Sequence, residues 1–150
     1  MNPILQFDTK QVEAALARIN LNVEDFKSIE KRGADVLVEG MQNRAAVDTG
    51  DMKNSVKQHI VEASMEKIED DVGPEAPYAI YQEFGTGIYA EAGNGRKTSW
   101  RYVDRNGNWH TTQGNKPHPF VRPTAIEDRD KVIDAMHNGA KLLIEAKWQR

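Results

Sequence analysis

The segment Tyr78-Ala-Ile-Tyr-Gln-Glu-Phe-Gly-Thr-Gly87 lies at the middle of a 150-residue chain and predicts a short helix followed by a fixed turn. Tyr78, Tyr81 and Gly85 stand at helical spacing, which favours a helix over residues 78–84, although a strand there stays an open alternative. The two glycines end the element, because glycine reaches backbone angles that other residues avoid.

Two further segments have the same character: Arg44-Ala-Ala-Val-Asp-Thr-Gly50 and Pro117-His-Pro-Phe-Val-Arg-Pro123. Each places glycine or proline close to an apolar side chain, so each marks a point where an element stops and the backbone turns. Phe84 and Phe120 are the expected core anchors beside these turns. None of the three segments presents groups that could readily carry catalysis, so together they indicate the joints of a scaffold rather than an enzyme.

Length and composition bound the class of protein. A chain of 150 residues fits one domain over residues 1–150, and 39% apolar residues with a mean hydropathy of -0.70 favour a few long amphipathic elements. There is no cysteine, which excludes disulfides and thiolate metal sites. The first residues lack the pattern of a signal peptide, and no apolar run approaches the ~18 residues of a membrane span. The sequence therefore predicts a soluble protein, made in a cytosol, with no membrane partner.

Two helices are predicted in the N-terminal third. The first begins at Asp8, and the second is capped by Asn22 and runs to about Ala46. Gly33 and Gly40 lie inside the second helix, seven residues apart and hence on nearly the same side. Either another backbone approaches the helix closely there, or a long helix simply tolerates them.

Beyond residue 50 the apolar pattern changes to that of strands. Residues 55–63 and 67–72 predict two strands, with Val56, Ile60 and Ile68 among the inward-facing candidates.

A long helix is predicted at the end of the chain. Three prolines between residues 117 and 123 keep the preceding stretch extended, and Thr124-Ala-Ile-Glu127 has the pattern of a capping box. The helix would then run from Ile126 to about Lys147. The predicted fold class is α+β: N-terminal helices, a small, mainly antiparallel sheet with an inserted β-hairpin, and a long C-terminal helix packed on the sheet.

Residues 86–116 form a glycine-rich insertion, which we call the arm. Asn106-Gly107 is typical of a two-residue hairpin turn in which both residues take positive φ. Counting outward from such a turn places Trp100, Tyr102 and Trp109 on one face of the hairpin.

The charge of the chain is unevenly distributed. Residues 96–122 hold six basic side chains and one acidic, a net charge of +5, and the remainder holds 14 basic and 22 acidic, or -8. Basic residues between aromatic ones suit phosphates and bases, but the same residue types dominate protein interfaces. Because an acidic body repels DNA, a protein contact is favoured and nucleic-acid binding stays an alternative. The candidate interaction residues are Arg96, Lys97, Trp100, Arg101, Tyr102, Arg105 and Trp109.

One catalytic pattern is present. Asp48-Thr49-Gly50 matches the active-site triplet of aspartic proteases, whose retroviral members are short chains that dimerise to pair two aspartates. Here the triplet follows a predicted helix rather than a strand, which favours a turn in which Asp48 or Thr49 caps and Gly50 takes a positive φ; the protease stays an alternative. The four histidines have no H-E-x-x-H spacing, and no phosphate or dinucleotide motif occurs, so no metal or cofactor is predicted.

Taken in order, the three segments resemble the head–tail joining (neck) proteins of long-tailed bacteriophages and their prophage relatives. That family reads approximately Arg-Ala-Pro-Val-Asp-Thr-Gly, then Tyr-Ala and Glu-Phe-Gly-Thr, then Pro-Phe-Leu-Arg-Pro-Ala. Here Ala46, Val121 and Thr124 replace the usual proline, leucine and alanine, and the resemblance spans about residues 26–147. The matching positions are Asp48, Thr49, Gly50, Tyr78, Glu83, Phe84, Gly85, Thr86, Pro119, Phe120, Arg122 and Pro123.

The resemblance implies a structural virion protein between the portal and the tail, without catalysis. Its expected partners are other neck, connector and tail proteins and further copies of itself in a ring, with genomic DNA passing nearby but not specifically bound. It would reside in the virion, and in the host cytoplasm during assembly. Stopper, tail-completion and tail-terminator roles are not separated by these motifs.

Overall fold

The computed structural model describes residues 10, 13, 14, 17, 19–46 and 50–149. The predicted start of the first helix at Asp8, and the residues Asp48 and Thr49, lie outside this part of the chain. The described positions before residue 20 are helical. The helices are α1 (Val23–Arg44), α2 (Asp51–Asn54), α3 (Ala79–Phe84), a 3-10 turn (Gly87–Tyr89), α4 (Val121–Glu127) and α5 (Arg129–Trp148). The strands are β1 (Val56–Ala63), β2 (Ile68–Pro74), β3 (Trp100–Val103) and β4 (Trp109–Thr112), forming two antiparallel hairpins. The α+β class is confirmed, as is the helix favoured for residues 78–84.

Helix α1 begins where the sequence predicts. The Asn22 side chain accepts a hydrogen bond from the Asp25 N–H at 3.1 Å, and the Asp25 carboxylate accepts one from the Asn22 N–H at 2.8 Å. This reciprocal pair satisfies two of the N–H groups that a helix start leaves without partners. Gly50, the last residue of the first motif segment (residues 44–50), has a φ of 87°, the positive value predicted from the sequence.

Helix α1 is the central element, and it corrects one predicted contact. The β1–β2 hairpin packs on α1, and α5 packs along α1 rather than on the sheet. Glycine allows α1 and α5 to pack closely, because a Cβ added to Gly33 would lie only 2.9 Å from Met136 Cγ. Side chains therefore approach α1 closely at both Gly33 and Gly40, which accounts for glycine inside a long helix, but the neighbouring atoms belong to side chains and not to the backbone considered from the sequence.

Gly40 offers a test of this packing. A Cβ at Gly40 would lie 2.5 Å from Asp128 Oδ2 and 2.7 Å from Thr124 Cγ2, both on buried side chains. We expect Gly40→Ala to lower the free energy of unfolding by about 1–3 kcal/mol, although alanine is the better helix former. Gly73→Ala is the matched control, because its Cβ would meet no atom within 4 Å. Urea unfolding that shows Gly40→Ala as stable as Gly73→Ala would contradict the close packing.

Both strands of the first hairpin form, but their burial is shallower than predicted. Val56 is buried, whereas Ile60 is 51% exposed and Ile68 is only partly buried. Ile60 borders an open groove whose other wall is made of polar side chains of the first turns of α1. The register also shifts between Ile60 and Glu62, which interrupts the alternation of faces. The assignment of Ile60 to the interior was therefore wrong.

The C-terminal helical region begins earlier than predicted and is interrupted. Helix α4 starts at Val121, and the helical conformation is interrupted at Asp128, before α5 begins. Thr124 is therefore inside a helix, fully buried, and its hydroxyl donates to the Phe120 carbonyl at 2.7 Å instead of capping. Pro123 is the third residue of α4, where a missing N–H costs no intrahelical bond. The predicted start at Ile126 and the extended state of Pro123 were wrong.

The hairpin in the arm forms around a longer turn than predicted. The Gly107 N–H donates to the Asp104 carbonyl at 3.0 Å, the Asp104 N–H donates to the Asn108 carbonyl at 2.9 Å, and only Gly107 of the predicted pair has a positive φ. This is the pattern of a three-residue loop. One extra loop residue shifts the register by one and exchanges the faces of one strand. Trp109 therefore lies opposite Val103, on the other face from Trp100 and Tyr102, which corrects the predicted single aromatic face.

Candidate functional site: a buried carboxylate joint and an exposed arm

The side chain of Glu83 caps a helix that lies 38 residues away. Its carboxylate accepts hydrogen bonds from the backbone N–H groups of Phe120 at 2.8 Å, Val121 at 3.0 Å and Arg122 at 3.1 Å. These N–H groups belong to the residue before α4 and to its first two residues, and a negative charge is stabilised at such a helix start. Glu83 is only 4% exposed, and the Arg122 Nε donates a further hydrogen bond at 2.9 Å. The Glu83 carboxylate thus links the middle motif segment, residues 78–87, to the last one, residues 117–123.

The other groups of Arg122 connect this joint to the surface. Its Nη2 lies 2.8 Å from Glu91 Oε2, and its guanidinium lies 4.6 Å from the centre of the Phe84 ring. Phe84 is 42% exposed, so it is not the core anchor that the sequence predicted. Its ring instead covers the guanidinium in a cation–π contact. Phe120, by contrast, is 1% exposed, and its assignment to the core is confirmed.

The backbone next to Glu83 pairs with the base of the arm. The Thr86 N–H donates to the Asn115 carbonyl at 2.8 Å, and the Asn115 N–H donates to Thr86 Oγ1 at 2.9 Å. Gly85 has a φ of 72°, and a Cβ there would lie 2.8 Å from Pro117 Cδ. Glycine is therefore required at this turn for both its backbone angle and its size.

Arg44, in the first motif segment, forms ion pairs with two carboxylates at the end of α4. Its Nη1 lies 2.6 Å from Asp128 Oδ2, and its Nη2 lies 2.9 Å from Glu127 Oε2. Asp128 is 3% exposed and also pairs with Lys131 at 2.6 Å. Sequence reasoning placed Arg44 in a motif segment but missed Asp128, since only the break between α4 and α5 brings that carboxylate to the end of α1.

The carboxylates at these joints should make stability depend on pH. Burial would raise the pKa of Glu83, but hydrogen bonds from the α4 backbone and Arg122 lower it below its usual value. Hydrogen bonds from basic side chains, chiefly Arg44 and Lys147, lower the pKa of Asp128 and Asp25.

A carboxylate whose pKa is depressed by folding stabilises the protein fully above its unfolded pKa, and this contribution is lost as the pH falls through the folded pKa. We expect the free energy of unfolding, measured with urea, to decline progressively below about pH 4, the ordinary range of these groups. The pKa of Glu30 is raised by burial and by Asp70, so this group changes stability with pH in the opposite direction. We expect the three depressed carboxylates to outweigh it. Equal stability at pH 3 and pH 7 would contradict this expectation.

The basic side chains of the arm are held by contacts within the molecule. Arg101 lies 4.8 Å from the Trp109 ring centre and Arg96 lies 5.6 Å from that of Trp100. Arg105, at the tip, forms an ion pair with Asp51 at 3.0 Å. The remaining predicted arm residues are placed as follows: the Lys97 Nζ donates to the Gly93 carbonyl at 2.8 Å, and Tyr102 stacks on His110 with ring centres 5.3 Å apart.

The two faces of the arm hairpin have different surroundings. Trp100 and Tyr102 line a cavity of about 340 Å³ whose opposite wall is formed by Tyr78 and Tyr81 near α3. Arg101, Val103 and Trp109 belong to the opposite face of the hairpin, according to the strand register. Trp109 is 63% exposed. The arm therefore presents one face towards its own body and one away from it.

A second apolar surface lies on the other side of α3. A groove of about 340 Å³ is bordered by Pro77, Ile80, Phe84 and Val121. Of these, Ile80 is 58% exposed and Phe84 is 42% exposed. Such contiguous apolar surface usually marks a contact with another protein.

The described residues form neither a metal site nor a membrane span. There, no group of three or more His, Asp or Glu side chains is placed to hold a metal ion. No helix within residues 19–46 or 50–149, nor at the helical positions before them, is long and apolar enough to cross a membrane. The geometry of the joints is that of structural ion pairs and helix caps.

The model of one protein family matches residues 9–85, about half of the chain. Its description is "Bacteriophage HK97-gp10, putative tail-component". The match includes the first and middle motif segments up to Gly85, and it ends before the arm and the Phe120 segment. No curated protein and no solved structure matches the chain.

Proposed function

The chain belongs to the HK97-gp10-like family of bacteriophage tail components, and on this premise we propose that it joins the phage head to the tail as a ring component of the virion neck. The family match carries the phage structural role. The position in the neck is supported by the three ordered segments, which resemble those of head–tail joining proteins. The proposed partners are further copies of the chain and other neck, connector and tail proteins, assembled in the host cytoplasm.

The distribution of apolar side chains supports an assembled state. In the described part of the chain, seven apolar residues are buried, three of them alanine, whereas seventeen large apolar residues are exposed. A domain of this length normally buries more of its apolar surface than it leaves in water. Neighbouring subunits would cover the surplus, as they do in permanent assemblies. We therefore treat the chain as one domain that is completed by its neighbours.

The charge distribution supports a ring around DNA. Outside residues 96–122 the chain carries a net charge of -8. Acidic side chains towards a central channel would repel phosphates, so that the genome passes without adhering. No catalytic step is needed for this role. The aspartic protease hypothesis does require one, through Asp48, and the experiment below separates it from the joining role.

Disruption of the gene in its parent phage tests the proposal. We expect electron micrographs of the lysate to show DNA-filled heads beside separate tails. Complementation with wild type and with Asp48→Asn should restore joined particles equally. Immature capsids that only the wild type rescues would assign a proteolytic role to Asp48 and overturn the proposal. Joined particles in the disrupted phage would overturn it as well.

A further inference from the structure

We propose that the arm of one copy docks on the acidic β1–β2 hairpin of the next copy in the ring. The docking face of the arm consists of Arg101, Val103 and Trp109. The receiving segment, the hairpin tip, comprises residues 60–66, which hold Ile60, Val61 and Met65 together with Glu62 and Glu66. This inference rests on the proposed ring and names the contact that would close it.

The outward face of the arm has the composition of an interface centre. Val103 and Trp109 lie directly opposite each other in the strand register, and both are about half exposed or more. Arg101, on the same face, places its guanidinium 4.8 Å from the Trp109 ring centre. Tryptophan and arginine are the residues that most often dominate the binding energy of an interface. A partner for this face must offer apolar surface together with carboxylates.

The hairpin tip of the same chain offers both. Ile60, Val61 and Met65 are each more than half exposed; Glu62 lies between Val61 and Met65 in the sequence, and Glu66 follows Met65 directly. Val61 lies at the register shift of β1, where the regular pairing of the strand is interrupted. Bulges of this kind occur where a strand re-aims its side chains.

The charges of the two surfaces are equal and opposite. Residues 96–116 hold five basic side chains and one acidic, a net charge of +4. Residues 56–75 hold two basic side chains and six acidic, a net charge of -4. Lys67 pairs with Glu62 at 3.2 Å and Lys57 pairs with Glu75 at 2.9 Å, so both lysines are engaged within the hairpin itself and four acidic charges remain in excess.

Two unlike surfaces on one chain produce a heterologous contact. Such a contact repeats from copy to copy and closes into a ring when the rotation permits. Within one copy the arm is held at its tip by Arg105 and Asp51 and at its base by Thr86 and Asn115. An arm fixed at both ends presents its face without a large cost in ordering.

The absence of cysteine from the chain permits a direct test. Two full-length versions with different tags are co-expressed, one carrying Thr111→Cys on the arm and the other Ala63→Cys on β1. Both positions are exposed. After treatment with a bismaleimide reagent, mass spectrometry should find residues 111 and 63 linked between copies. The matched control pairs Thr111→Cys with Ile126→Cys, because Ile126 on α4 is 76% exposed.

A charge exchange keeps the test independent of the cysteines. Arg101→Glu should abolish both the 111–63 link and the ring, measured by mass photometry. Combining it in every copy with Glu62→Lys and Glu66→Lys should restore both. A ring that forms without the 111–63 link, or with an equally abundant 111–126 link, overturns the docking surface and leaves the head–tail role standing.

Two other results also overturn the docking surface. One is a chain that stays monomeric at every concentration. The other is salt-dependent binding of a DNA duplex that Arg101→Glu removes, which would assign the face to nucleic acid. The gene disruption does not depend on this contact, so it judges the head–tail role separately.

Discussion

Replacing Phe120 with alanine should lower the free energy of unfolding by about 3–5 kcal/mol, the range found when a fully buried phenylalanine is truncated. Phe120 is 1% exposed and belongs to the cluster formed by Met41, Met52, Val56 and Ala79. These residues come from four different elements, so the cavity left by the ring would lie where they meet. Few large side chains are buried in the described part of the molecule. The neighbouring side chains can therefore fill little of the cavity by repacking. Urea unfolding of the purified variant measures the change.

Phe84→Ala is the matched control for this prediction. Phe84 is also a phenylalanine of a motif segment, but it is 42% exposed and lies over the Arg122 guanidinium. We expect a loss of about 1 kcal/mol or less, the size of an exposed cation–π contact. Equal losses in the two variants would show that Phe120 is not the centre of the core.

Glu83→Gln should be nearly as damaging, although the side chain keeps its size. The carboxylate accepts three backbone hydrogen bonds and one from Arg122 in a site that is 4% exposed. An amide has one acceptor oxygen and turns its NH₂ donors towards N–H groups that also donate. The Arg122 side chain is 43% exposed, but the backbone donors that face Glu83 are buried or partly buried, and leaving such donors unsatisfied costs about 1–3 kcal/mol, more where a charge takes part. We expect a loss of that size in urea unfolding at pH 7, and a weaker decline of stability with acid than in the wild type.

Glu91→Gln separates the buried joint from the surface pair. Glu91 pairs with the same arginine at 2.8 Å, but its side chain is 49% exposed. Exposed pairs contribute about 0–1 kcal/mol, so this variant should unfold almost as the wild type does. A loss in Glu91→Gln as large as that in Glu83→Gln would show that the ion pair with Arg122, rather than the cap of α4, stabilises the joint.

Glu83→Gln and Phe120→Ala should also affect the arm. Glu83 is followed directly by the turn at Gly85 and Thr86 that pairs with Asn115 at the base of the arm. Phe120 immediately follows the Pro117–Pro119 stretch that continues from that base. If the arm carries the contact between copies, a loosened joint should weaken ring formation even under conditions where the variant remains folded.

Local signals in the sequence were sufficient for several elements. Asn22 marked the start of α1 because the capping pattern involves residues only three apart. Glycine spacing within α1 marked Gly33 and Gly40 as candidates for a close approach, since a helix places residues seven apart on one side, and side chains do lie close to both. The order of the three segments led to the phage family that the comparison supports. In each case the deciding interaction lies within a few residues or within a fixed periodicity.

Contacts between distant residues decided the rest. The start of α4 at Val121 depends on a carboxylate from α3, and the burial of Phe120 rather than Phe84 depends on which side of each turn faces the core. The single extra residue in the arm turn moved Trp109 to the other face, and α1 rather than the sheet received α5. No local pattern records such choices, because they follow from which surfaces meet in space. Local patterns thus predicted the fold class, the three motif segments and the family, whereas packing between distant residues set how the segments connect and which faces stay exposed.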